Sequence, residues 1–436
     1  MVRIFVLLLL GAALAAQPSG QRGRLDPAFE KVPFDQWLNE PDKVRFRGAT
    51  SVTRAELSFH QRLTIRIDIG VDGRDLETRR GDGELVFLVQ ITDHDGVRYQ
   101  NHGSIALNKL DEKVRGATLE YSQTAFVLPG DYRLAVAILN TVTGEHSTRH
   151  MQFRVASPHQ DLLQDAWHDL QPVEFIGNEQ SPDSFFLPDI QGRLQWAASV
   201  HSPARVNVIL NVAPPGSSRT QSSDLAVLLP TLKAISQTGS SSLSEHVDVV
   251  DLARQRAVFH QDEVHDLDWL GMKASLGGAN AASIDIHSLS EQSHAAQFFV
   301  SEVRRLLRAS KEPCVLVVLT KSVAFESGED LEPVSLEGLP PCRVVYIRYR
   351  APEQFVRPAG REMSGRGRGA RMGGPMTSNR LPQDVVDQLE ATLKPLAPKV
   401  FDVAMPEQMT RALAEIEKAL LAPDKPSRQL PSKPGA

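Results

Sequence analysis

The sequence predicts a two-domain protein, an N-terminal antiparallel β-sandwich followed by a doubly wound α/β domain, and three observations carry that expectation. From Ser51 to Val155 apolar residues recur with a period of two, which sets them on one face of successive strands. From Ala204 onward short apolar runs alternate with amphipathic stretches, the pattern of strands covered by helices on both faces. The run Val206 to Val212, closed by Ala213-Pro214-Pro215-Gly216, is the buried strand around which the second part is organised. Ligands of open α/β sheets bind outside the carboxyl ends of the strands, so Asn211 to Ser218 is the first place to look for chemistry.

The chain starts Met1-Val2-Arg3, continues with an apolar run from Ile4 to Leu14, and reaches the small residues Ala13, Ala15 and Ala16. A basic start, a short apolar core and an Ala-x-Ala ending describe a cleavable secretory signal over residues 1–16. The run falls short of the roughly 20 apolar residues that span a bilayer. The expectation is therefore a periplasmic or secreted protein with no stable membrane anchor in its mature form. A formal net charge of -5, with acids and bases interspersed, argues against nucleic-acid partners. Residues 17–50 form an extension in which Phe34, Trp37 and Leu38 have helical spacing between Pro33 and Pro41, which predicts a short helical clasp.

The first domain is assigned to 51–156. Leu63, Ile65, Ile67, Ile69 and Val71 alternate with Thr64, Arg66, Asp68 and Gly70, and further strands are expected at Glu84 to Thr92, Thr118 to Val127, Tyr132 to Leu139 and His150 to Val155. Asp72-Gly73, Asp95-Gly96, Pro129-Gly130 and Thr143-Gly144 supply the turns. Leu128-Pro129-Gly130-Asp131-Tyr132, leading into alternating Leu134, Val136 and Ile138, resembles the tyrosine corner of immunoglobulin-like (Ig-like) modules. A connector follows over 157–203, whose aromatic clusters at Trp167, Phe185-Phe186 and Trp196 are expected to pack between the domains.

The second domain is assigned to 204–422. Its expected elements are a helix from Asp224 to Ser236 bent at Pro230, an antiparallel hairpin of Val247 to Leu252 with Arg256 to His260, and a short strand from Ser283 to His287. A helix from Glu291 to Arg308 carries Ala295, Phe299, Val303 and Leu306 on one stripe, and buried strands run from Cys314 to Thr320 and from Cys342 to Tyr349. A Gly/Arg-rich insertion without periodicity occupies 351–380. The fold resumes with a helix from Gln383 to Leu393, a strand from Val400 to Ala404 and a helix from Pro406 to Leu421 that buries Met409, Leu413, Ile416 and Leu420. The polar tail 423–436 is expected to be disordered.

This order of elements resembles a von Willebrand factor A (VWFA-like, Rossmann-like) domain, and Pro398-Lys399-Val400-Phe401-Asp402-Val403-Ala404-Met405-Pro406, continuing to Met409, is similar to the last strand and helix of secreted bacterial members. The resemblance implies a metal-ion-dependent adhesion site. Its oxygen ligands come from an Asp-x-Ser-x-Ser loop after the first strand, a Thr in a Gly-Gly-Thr-like loop and an Asp ending the fourth strand. Asn211, Ala213 and Pro215 stand at the first motif, Gly277-Gly278-Ala279 at the second, and Lys321, after Val317-Val318-Leu319-Thr320, at the third. No expected ligand survives, so the site is degenerate, with no metal and no cofactor expected. The same resemblance makes the strands opened by Cys314 and Cys342 parallel neighbours, which places these two cysteines at disulfide distance; two buried free thiols are the alternative.

Four other constellations gather chemistry-bearing residues. His260, Asp262, Glu263, His265, Asp266 and Asp268 could gather at a metal, but a His spacing of five matches no helical face, and a solvated turn entering a helix explains them. His287, Ser288, Glu291, Ser293 and His294 could form a Ser/His/acid set but lack a nucleophile elbow; Ser290 as a helix N-cap suffices. Asp93-His94-Asp95-Gly96 reads as a hairpin turn, not a calcium loop. Arg361, Arg366, Arg368 and Arg371 could touch an anionic envelope polymer. The function expected is an exported, non-enzymatic protein-binding or scaffolding module whose partner is an unidentified protein or envelope polymer. The alternatives are metal-dependent adhesion through a non-family cation site near Asn211, Ser217 and Ser218, and a secreted hydrolase using the His287 to His294 region.

Overall fold

A computed structural model describes residues 25–40, 46–79, 81–110, 116–158, 163, 166–176, 192, 194, 204–213, 222–236, 243–264, 266–279, 294–310, 312, 314–323, 325, 333–334, 342–350 and 387–421. The secretory signal, Phe185-Phe186, Trp196, the strand expected at Ser283 to His287, the Gly/Arg-rich insertion and the tail lie outside the described residues.

The N-terminal part holds two antiparallel sheets. One comprises β1 (Thr50–Val52), β2 (Glu56–Leu57), β3 (Leu63–Asp72), β6 (Thr118–Val127) and β9 (Val173–Phe175), in the order β1-β3-β6-β9 with β2 also on β3. The other comprises β4 (Glu84–Thr92), β5 (Arg98–Ala106), β7 (Gly130–Asn140) and β8 (His146–Val155), in the order β5-β4-β7-β8. Alternation decides the faces: Ile65, Ile67 and Ile69 of the first sheet meet Phe87, Val89, Val136 and Ile138 of the second in one core. The short α3 (Gly73–Glu77) follows β3, its first turn capped by the Asp72 carboxylate. At the Asp93 turn, Asp93 Oδ1 accepts from the backbone of Asp95 and Val97, and Gly96 adopts a φ of 81° that favours glycine.

Four strands of this part were not foreseen: the short β1 and β2, which exist by pairing with β3, and β5 and β9. β5 is an edge strand with a mostly polar sequence, fixed by its pairing to β4 and by burial of Tyr99, so periodicity alone passes it over. β9 falls in the segment read as connector, yet it pairs antiparallel with β6, so the first sheet continues beyond residue 156. Tyr132 Oη donates to the Leu128 carbonyl at 2.8 Å, the bond suggested by the Leu-Pro-Gly-Asp-Tyr stretch. Upstream, α1 (Pro27–Glu30) and α2 (Phe34–Asn39) lay Phe29, Phe34 and Trp37 on Leu88, Ala135 and Ala137, covering the outer face of the four-stranded sheet.

The C-terminal part is a six-stranded mixed sheet of β10 (Ala204–Ala213), β11 (Leu243–Asp251), β12 (Arg256–Gln261), β13 (Cys314–Thr320), β14 (Cys342–Tyr349) and β15 (Lys399–Val403), in the order β12-β11-β10-β13-β14-β15. All neighbours are parallel except β12, which returns antiparallel along the β11 edge. One face packs Val206, Val208, Leu210, Val247, Val317 and Ile347 against α4 (Ser222–Ile235), α5 (Trp269–Ala279) and, through Met409, Leu413 and Ile416, a later helix. The other face packs Ile209, Val250, Leu316, Val318 and Tyr346 against α6 (Ala295–Ala309) and α7 (Gln388–Leu393). The later helix is α8 (Pro406–Leu421), with the bounds the sequence predicts. Continuous apolar strands follow from this two-sided cover. Cys314 and Cys342 are register partners joined by a disulfide, with Cα atoms 4.6 Å apart.

The two parts touch through a small set of residues. Trp167 packs against both cores and donates from Nε1 to the Gln61 carbonyl at 2.8 Å. The Gln61 side chain accepts from Thr410 Oγ1 at 2.7 Å and donates to the Pro406 carbonyl at 3.3 Å, tying it to the first turn of α8. Beside it, Arg62 forms a buried ion pair with Glu174 of β9, its guanidinium 4.4 Å from the centre of the Phe126 ring. Burial and the charges of Lys233 and Arg62 push the His60 imidazole down to about 3.

Candidate functional site

The carboxyl ends of the parallel strands bring together Asn211, Ala213, Asp251, Thr320, Lys321 and Tyr349, with Asp224 reaching in from the first turn of α4. Asn211 is buried at the end of β10. Its Nδ2 donates to Thr320 Oγ1 at 2.8 Å, and its Oδ1 accepts from the backbone N–H of Ala213 at 3.2 Å and of Leu252 at 3.3 Å. The amide therefore stitches β10 to the exits of β11 and β13, and both of its polar atoms are engaged in that role. Ser217, Ser218 and Pro215 lie outside the described residues.

Lys321 places Nζ 2.6 Å from Oδ1 of Asp224, whose side chain is 4% exposed. Asp224 stands where the positive end of α4 favours a carboxylate, so helix dipole and ammonium act in the same direction. The ammonium also lies 6.0 Å from the centre of the Tyr349 ring. Burial, reinforced by the Asp224 charge, pushes the Tyr349 phenol well above its ordinary range. Here a fixed ammonium balances a buried carboxylate, the charge balance that a bound cation supplies in an oxygen-ligand site.

Ala279 does not lie in a loop. Gly277-Gly278-Ala279 ends α5, which the sequence reading missed. Met272 and Leu276 bury one face of that helix, and Asp268 Oδ1 caps its start by accepting from Gly271 N at 2.9 Å. His294 occupies the N-cap position of α6, which begins at Ala295, four residues after the expected start at Glu291; the side chain makes no capping bond. His287, Ser288, Ser290, Glu291, Ser293, His265, Arg361, Arg366, Arg368 and Arg371 lie outside the described residues.

The His260 to Asp268 stretch divides. Asp266 and Asp268 stay in the exposed turn, but His260 and Asp262 join His246, and the three could hold a metal ion between them. Antiparallel pairing sets His260 opposite Asp248, and His246 shares the Asp248 face two residues away. His246 and Asp248 were missed. Two polar residues with a spacing of two in the run His-Val-Asp-Val-Val were the available sign, since they share one face of an otherwise apolar strand.

No protein-family model matches the chain, and no curated protein matches it. Among solved structures, a Bordetella pertussis crystal structure carrying the name ApaA is 18% identical over 28% of this chain and 100% of its own, with a TM-score of 0.18. An X-ray structure of a Northeast Structural Genomics Consortium target is 16% identical over 28% of this chain and 95% of its own, also with a TM-score of 0.18. Likenesses at this level carry nothing about function.

Proposed function

We propose that the chain is an exported, non-enzymatic binding or scaffolding module, in which an Ig-like sandwich is followed by a VWFA-like α/β domain whose strand-end crevice works without a hard cation. The Lys321–Asp224 pair is the observation that carries this reading. A divalent ion at the strand ends needs several free oxygen ligands. Asp224 is already matched by an ammonium, and Asn211 Oδ1 is taken up by two backbone N–H groups. The partner is a protein or envelope polymer that meets a fixed surface at the strand ends.

Calorimetry with Mg²⁺, Mn²⁺ and Ca²⁺ tests the cation-free crevice. No one-to-one site tighter than about 10⁻⁵ M is expected. Such a site, abolished by Asn211→Ala, would overturn the reading in favour of metal-dependent adhesion. Crosslinking and pull-down from the native envelope identifies the partner, whose binding should be unchanged when Mg²⁺ and Ca²⁺ are withdrawn.

A further inference from the structure

The geometry points to a transition-metal site of the zinc class at the β11/β12 edge, with His246, His260 and Asp262 as ligands and Asp248 as the carboxylate that orients the His260 imidazole and lies beside that of His246. It lies away from the strand-end crevice and is independent of the function proposed above. Asp248 is fully buried, and its Oδ1 lies 2.7 Å from His260 Nδ1 and 3.2 Å from His246 Nε2. That oxygen hydrogen-bonds the outer nitrogen of the His260 ring, while the outer nitrogen of the buried His246 ring lies close to it with no hydrogen-bond partner among the described residues. The inner nitrogens both face Asp262: His246 Nδ1 is 2.5 Å from its Oδ1, and His260 Nε2 is 3.3 Å from its Oδ2.

His260 is held as metal-binding imidazoles usually are, with the second ring nitrogen on a carboxylate that fixes tautomer and orientation. Two imidazoles and a carboxylate suit zinc and its neighbours, and not the hard cations tested at the strand ends. Three protein ligands leave a coordination position for water, and the site is open enough for one: the His260 and Asp262 side chains are 47% and 55% exposed, while His246 is 2% exposed. Bonds of about 2.0 to 2.1 Å in a tetrahedral arrangement need ligand atoms roughly 3.3 Å apart. His260 and Asp262 already meet that spacing. Asp262 must withdraw somewhat from His246, which its place in the exposed bend after β12 allows.

The charges around the site are also accounted for. Arg305 of α6 pairs with Asp248 Oδ2, leaving Oδ1 to the rings, and Arg205 Nη2 lies 2.9 Å from Asp262 Oδ1. Arg305 also pairs with Glu302 at 2.9 Å, so its charge is shared between two carboxylates.

Equilibrium dialysis of the full chain against Zn²⁺ at pH 7.5 tests the site, with Co²⁺ absorption as a second readout. One equivalent of Zn²⁺ is expected, together with visible Co²⁺ bands of a site with fewer than six ligands. His260→Ala and Asp262→Ala, both at exposed positions, should each weaken Zn²⁺ binding by at least about tenfold, with the metal-free chain still folded by circular dichroism at the temperature of the assay. Failure of the wild-type chain to retain Zn²⁺ at tens of micromolar would overturn the assignment whatever the variants do. So would retention that neither substitution weakens, because the metal would then sit on other histidines.

Discussion

Glu245→Gln should stabilise the protein at neutral and alkaline pH. Glu245 lies on β11, on the face that carries Val247 and Val249 into the core under α4 and α5. It is 4% exposed, and its Oε1 has no hydrogen-bond partner among the described residues. Burial pushes its carboxyl up to about 8, from an ordinary 4.5. The native state thus keeps a proton that the unfolded chain releases, so the associated stability is full below pH 4.5 and is lost as pH rises through 8. The whole difference corresponds to at most ~5 kcal/mol. Local relaxation and water entry reduce such penalties, and about 2 kcal/mol is the expected gain at pH 8. Glutamine keeps the shape and removes the charge. Urea unfolding of both proteins from pH 4 to pH 9 measures the effect. His60 tilts the curve the other way, since its depressed titration costs stability as pH falls from 6.5 towards 3. Both proteins carry His60, so their difference isolates Glu245. Curves that stay parallel between pH 4.5 and 8 would refute the argument.

Glu174→Ala should destabilise by about 3 to 5 kcal/mol, because it strands the buried Arg62 guanidinium; a loss under about 1 kcal/mol in denaturant titration would contradict this. Thiol counting on unfolded, unreduced protein from an oxidising compartment should find no free thiol, since Cys314 and Cys342 are bridged, and reduction should cost roughly 3 to 4 kcal/mol for a loop of about 28 residues. Deleting Glu362 to Asn379 should leave the melting temperature within a few degrees, because that stretch has no apolar stripe to bury; a larger fall would show that it packs.

How much was legible follows from where each constraint is written. β3, β4, β6 and β10 were readable because their apolar residues repeat locally with a strand's period or as an unbroken run. α8 was readable because Pro406 opens it and Met409, Leu413 and Ile416 share a face. β5 and β9 were not, because a polar edge strand and a three-residue strand exist only by virtue of their partners. The strand-end residues were visible one by one, Lys321 among them. Its carboxylate partner was not visible: Asp224 lies 97 positions earlier, at the start of a helix, and nothing local says that its acid will meet an ammonium. The histidine site failed in a more instructive way. Sequence spacing suggested His260 with His265, which share no helical face, whereas antiparallel register couples His260 to Asp248 and so to His246. Because a hairpin juxtaposes residues symmetrically about its turn, the Ala253-Arg254-Gln255 turn already fixed that pairing to within a bulge. Reading outward from a confident turn, and asking which polar residues then face each other, would have found the cluster. That step requires register as well as periodicity, and here β12 carries one extra residue, Val258, opposite Val249 and Val250 of β11, which shifts the count by one. The information that locates this site is thus held in the pairing of two strands and not in any motif, so a search by spacing alone passes over it.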